Sequence, residues 1–293
     1  MAFQTGVADD STQLAHYELL QIIHDLATAN GWQAVRYDTT IDNRELILKG
    51  TGYSGDDEIY LCFYCYQNAN SDYYNLAVGT ALGYVPSNTI TTQPNVIFSG
   101  VPAHNQSIQY WLSVNPQRIA GVLAVGGNTV YESFYVGKYN ALEYPHKYPQ
   151  PLVCIGMLEG AAATRFSDTY HSIGFKGYRT TSSPNYTYRN LKMFMNGAWL
   201  MPECWPWNNS YICGAASNVN STHFRDTEGA YTLQQIELTD TTNGNYGVLD
   251  GVAHITGFNN VVTNTVTVGA DEWIIFQDVW RTGANDYFAM RAN

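Results

Sequence analysis

The sequence predicts an α+β fold dominated by antiparallel sheet: an N-terminal helix packed on a sheet, then a β-rich, sandwich-like C-terminal domain. Three observations carry this reading. One stretch near the start places its apolar residues at helical spacing. Most of the remainder breaks into short Val-, Ile-, Thr- and aromatic-rich runs between Gly, Asn and Pro turn signals. No strand–helix–strand rhythm of a parallel sheet is present. At 293 residues there is ample chain for one large β-rich domain or two ordinary ones. Gly, Ser and Thr dominate 160–184, so a boundary is expected near 160, with domains 1–160 and 161–293.

In chain order, Ala15, Leu19, Ile22, Ile23 and Leu26 form one apolar helical stripe. Ser11 or Thr12 is the expected cap, Asp9 and Asp10 favour the positive end, and Asn30-Gly31 supplies the stop, with Trp32 folding back. Residues 34–38 and 45–49 read as a hairpin, and 58–66, 70–82 and 109–114 as strands. Between them, 86–106 reads as a long irregular loop, because Pro94, Pro102 and many Thr, Asn and Ser residues interrupt it. Residues 118–125 and 129–136 pair across Gly126-Gly127-Asn128. The stretch 134–151 crowds Tyr135, Tyr139, Tyr144, Tyr148 and three prolines into an extended, aromatic segment, and 152–157 is a short strand.

Beyond the boundary, 191–195 and Trp199-Leu200 flank an Asn196-Gly197 turn, and 219–225 is a candidate strand. Residues 233–238 and 246–255 sit on either side of Asn243-Gly244, and 261–268 has a Thr/Val strand composition. Residues 272–281 are apolar on both faces, which predicts a covered strand pairing with 287–291.

Lys plus Arg is 14 and Asp plus Glu is 25, a net charge of −11, which argues against nucleic-acid and anionic-membrane partners. Only 13% of residues are charged, about half the usual share, whereas 23 are Tyr. Tyr-rich, charge-poor surfaces suit permanent contacts or sugar binding. No basic segment followed by an apolar run opens the chain, and none approaches the ~18 apolar residues of a spanning helix, so folding in cytoplasm is expected. Cys62, Cys65, Cys154, Cys204 and Cys213 read as free structural thiols. The odd spacing of Cys62 and Cys65 along a strand sends them to opposite faces, which is wrong for one metal ion.

No nucleotide-binding glycine loop, nucleophile elbow or zinc-protease helix occurs, and Gly121 with Gly126-Gly127 reads as turn chemistry. Asp168 and His171 invite a catalytic or metal reading, against the simpler one of a hydrogen-bonded loop pair. Asp56-Asp57-Glu58 resembles a cation corner and Asp240–Asn245 a calcium loop. The first offers too few oxygens and the second lacks the twelve-residue spacing and the closing Glu, so a solvated corner and a hairpin turn are the better readings. No catalytic residue, metal site or cofactor is therefore assigned.

Three stretches together resemble a family of tailed-phage virion proteins of tail or baseplate type. They are Asn30-Gly31-Trp32 with residues 36–40 and 44–50; residues 130–139 with 148–153; and residues 247–252, 255–258 and 276–283. The resemblance implies a place in a virion and assembly in host cytoplasm and supplies no catalytic residues, and no enzymatic activity is expected. Its expected partners are other tail, baseplate or fibre proteins in a symmetric oligomer. The residues expected at interfaces are Tyr135, Tyr139, Tyr144, His146, Tyr148, Trp205 and Trp207. The alternatives are a host-surface carbohydrate-binding module, a virion-bound hydrolase using a carboxylate pair, and a head decoration protein.

Overall fold

A computed structural model describes residues 1–127, 129–142, 150–159, 174–176, 190–208, 233–240, 244–257 and 260–293. Strand β1 (Ala2–Ala8) leads into helix α1 (Ala15–Ala29). Then come β2 (Gln33–Asp38), β3 (Glu45–Gly50), β4 (Ile59–Asn68), β5 (Tyr73–Ala81), β6 (Ile97–Pro102) and β7 (Ile108–Asn115). They are followed by β8 (Arg118–Val125), β9 (Tyr131–Lys138), β10 (Asn140–Ala141), β11 (Leu152–Ile155) and β12 (Leu158–Glu159). The rest are β13 (Leu191–Met195), β14 (Ala198–Leu200), β15 (Glu203–Trp205), β16 (Gln234–Asp240), β17 (Gly244–His254), β18 (Thr265–Val268), β19 (Asp271–Gln277) and β20 (Tyr287–Arg291).

The strands form three sheets. One runs β1-β7-β8-β9-β11-β13-β14, a second β12-β6-β5-β4-β3-β2, and a third β15-β16-β17-β20-β19-β18 with β10 beside β17. Every strand pairing among the described residues is antiparallel. The fold is thus predominantly antiparallel β, with one α-helix among the described residues.

The first sheet is the middle layer, and β8 shows why. All its residues are buried, and side-chain alternation divides them between two cores. Ile119, Leu123 and Val125 join a core with Leu46, Leu61 and Phe63 of the second sheet and Leu19, Leu20 and Ile23 of α1. Ala120, Val122 and Ala124 join another with Ile236, Phe276 and Phe288 of the third sheet. Gly121 lies inside this strand and not at a turn: a Cβ there would stand 2.5 Å from the Phe134 ring. The same alternation separates the two thiols of β4, Cys65 facing the α1 core and Cys62 the far face of the second sheet.

Four expectations are corrected. The helix starts at Ala15, with neither Ser11 nor Thr12 capping it; the Ser11 N–H and hydroxyl both go to Asp9 Oδ1. The Ala15 N–H is met instead by Asn105 Oδ1 at 3.2 Å, a cap ninety residues away in sequence. Within the supposed loop 86–106, β6 pairs along its length with β5 and also with β12. Pro102 ends that strand, where its missing N–H costs little. The boundary near 160 does not divide two cores, because β13 and β14 extend the first sheet from β11 and the second core draws on both halves. Finally, the covered strand stops at Gln277, and Trp280 is 45% exposed. The candidate strand 219–225 lies outside the described residues.

The helix stop behaves as its residues predict. Gly31 takes φ +92°, Trp32 N–H returns to Ala27 O at 3.2 Å, and the Trp32 indole donates to Asn115 O at 2.9 Å.

Candidate functional site

The expected interface aromatics mostly point inward. Tyr135, Tyr139 and Trp207 are buried in the chain's own core, and Trp205 is half-buried. A ring already covered by its own chain cannot cover a neighbour's, so the docking expectation fails for Tyr135, Tyr139 and Trp207. Sequence reasoning missed this because Tyr carries no sign of which face will be covered. Tyr144, His146 and Tyr148 lie outside the described residues, as do Asp168 and His171.

Tyr135 belongs to a polar junction between the first and third sheets. Its hydroxyl donates to Lys138 O at 2.6 Å and accepts the Asp250 N–H at 3.3 Å, while burial raises its pKa. Beside it, Arg118 is wholly buried. Its Nη1 donates to Ser113 O and Oγ at 2.6 and 2.8 Å, and its Nε to Asp250 O at 3.1 Å. The Asp250 carboxylate accepts from Asn115 Nδ2 at 2.6 Å and from Arg291 Nη2 at 3.3 Å. Asn115 Oδ1 in turn caps the β7–β8 turn, accepting the N–H groups of Gln117 and Arg118. Gly251, at φ +69°, leaves the room that Arg118 needs: a Cβ would stand 2.1 Å from its Nη2. The junction joins β7, β8, β17 and β20 through the Asp250–Arg291 ion pair and the hydrogen bonds of Arg118 to neutral acceptors. It is built to hold two sheets in register, not to move protons or electrons.

The acidic corner at 56–58 borders a cleft of about 200 Å³ that Lys138, Gln150 and Leu152 complete. Asp57 is ion-paired with Lys138 at 2.8 Å and Glu58 with Lys49 at 2.7 Å. Two of the three carboxylates therefore already have side-chain cations as partners. The thiols Cys62, Cys65, Cys154 and Cys204 are free and buried. Burial raises all four, Cys154 to about 12, so they stay protonated and unreactive at neutral pH.

Two surface features remain. The loop after β19 is pinned: Asp278 N–H donates to Asp286 O, Arg281 N–H to Asp278 O, and Trp207 Nε1 to Asn285 O. Within it, buried Val279 is held at φ +57°, a costly conformation for a β-branched residue. The loop displays Trp280 with the Arg281 guanidinium 4.9 Å from its ring. The second feature is a set of three sheet edges among the described residues, β1, β14 and β18, which carry no charged side chain.

No family model matches the chain, and no curated protein matches it.

Proposed function

We propose that this chain is a structural component of a tailed-phage virion, in the tail or baseplate, working through static contacts with neighbouring subunits and not by catalysis. The phage assignment rests on the three sequence stretches that resemble that family. The structural observation supporting an assembly role is the set of three uncharged sheet edges among the described residues. Soluble sheets normally guard an edge with Lys, Pro or a bulge, because bare N–H and C=O groups recruit another strand. Edges left unguarded suit a subunit whose neighbours complete its sheets. The protein would then fold in host cytoplasm and end in the particle, among tail, baseplate or fibre proteins. Mass spectrometry of purified particles, followed by density for the intact virion, tests this. The chain is expected at stoichiometric level in the tail region. Its absence from particles, or turnover of host polysaccharide by the purified protein, overturns the proposal, and density at the capsid surface moves it to head decoration.

A second reading, a host-glycan contact, is favoured by Trp280, since a pinned exposed indole is a ready platform for a sugar ring. Titration of host-surface oligosaccharides against the parent chain and Trp280→Ala separates the two readings. Binding that only the parent shows favours the second.

A further inference from the structure

We propose that the outer edge of β18 is a self-association joint, pairing antiparallel with β18 of a second copy across a twofold axis at Val266. This deepens the assembly reading by naming a partner, but it is decided on purified protein alone.

The geometry of the β18–β19 hairpin sets which groups are available. Val268 faces Asp271 across a two-residue turn in which Gly269 takes φ +65°, and at the other end Ile275 N–H donates to Asn264 O. Counting in twos from either end, 264, 266 and 268 bond to β19, so the N–H and C=O groups of Thr265 and Thr267 point outward. Thr265, Thr267 and Val268 are exposed, and among the described residues β18 ends the strand order of its sheet.

Charge and register choose the occupant. From Gly251 to Ala270 the sequence has no Asp, Glu, Lys or Arg, in a chain of net charge −11. Copies of so acidic a protein repel one another, and this stretch lets them approach without opposing like charges. The edge is also self-complementary. An axis at Val266 places Thr265 opposite Thr267 of the other copy, where the two exchange both backbone hydrogen bonds. Val266 then meets its own counterpart in the close, non-hydrogen-bonded position. Four residues per copy bury far less than the roughly 1,200 Å² of a stable interface, so this joint is weak alone and strengthens where copies are held together.

Val266→Cys tests the register directly. Close non-hydrogen-bonded positions stand about 4.5 Å apart between Cα atoms, within disulfide range, whereas cysteines at 268 would sit opposite 264 and out of reach of each other. Under mild oxidation, Val266→Cys should form covalent dimer roughly tenfold faster than Val268→Cys, although residue 268 is the more exposed. The unsubstituted chain measures background from the native thiols. Adding Thr267→Pro to Val266→Cys removes an outward N–H without touching the β19 ladder, and Thr265→Lys guards the edge; each should abolish the rate advantage while circular dichroism is unchanged. Equal rates at 266 and 268, or an advantage that survives both edge variants, overturns the proposal. Failure here leaves the virion assignment standing. Absence from particles with cross-linking intact leaves the joint standing.

Discussion

His16 should make this protein acid-sensitive far above the titration range of carboxylates. It lies in the first turn of α1 with no exposed surface, its ring 4.7 Å from that of Tyr17 and 5.3 Å from that of Tyr74. Neither ring nitrogen makes a hydrogen bond of full geometry, and the nearby Gln67 side chain only partly offsets the cost of charging the ring. Arg44 stacks 3.9 Å above the Tyr17 ring, and His104, whose Nε2 lies 3.5 Å from Asp72 Oδ2, packs edge-on against Tyr74. Cys65 Sγ donates to the His16 carbonyl and stays neutral. Burial first, and the Arg44 charge second, lower the His16 pKa from 6.5 to about 3. The unfolded chain therefore takes up a proton near pH 6.5 and the folded chain does not. The stability His16 permits is complete above pH 6.5 and drains as pH falls from 6.5 toward 3, at about 1.4 kcal/mol per pH unit. Between pH 7 and 5 this single ring should cost about 2 kcal/mol. Urea unfolding of the parent chain and His16→Phe at both values isolates it, because other titrating groups cancel in the comparison. The parent should lose about 2 kcal/mol more than the variant on going to pH 5. Equal losses would refute the reasoning, showing that water or a rearranged neighbour reaches the ring.

The remaining expectations are read by the same denaturation measurements. Leu19→Ala should cost about 2–5 kcal/mol, since Leu19 is fully buried in the core shared by α1 and two sheets. Phe276→Ala should cost about 3–5 kcal/mol and Trp280→Ala under about 1.5 kcal/mol, because only the first ring is buried; equal costs would mean the loop after β19 packs inward. Gly121→Ala should cost about 1–3 kcal/mol, its methyl meeting Phe134 and Leu112 in a strand with no room to shift. Arg118→Ala should cost about 3–5 kcal/mol, and Arg118→Met less, because the longer apolar chain refills the space between sheets.

What the sequence determined by itself is local. The helical stripe, the left-handed stop at Gly31, the turns at Gly126-Gly127 and Asn196-Gly197, and the opposed faces of Cys62 and Cys65 are all carried by residues a few positions apart. Their signals are periodicity and backbone freedom, which need no distant partner. Tertiary structure decided everything that depends on what covers a residue. Asn105 caps a helix ninety residues upstream, and Ile97–Pro102 becomes an interior strand of its sheet, next to the edge, once β5 and β12 bracket it. Tyr135 and Trp207 are core while Trp280 is surface, although all three are aromatic residues in or beside strands. A sheet covered on both faces also pulled residues from either side of position 160 into one core, against a composition change that suggested two. The physical reason is common to all these cases. Burial is a property of pairs brought together by long-range strand registry, and in a fold of three antiparallel sheets those partners lie tens to hundreds of residues apart.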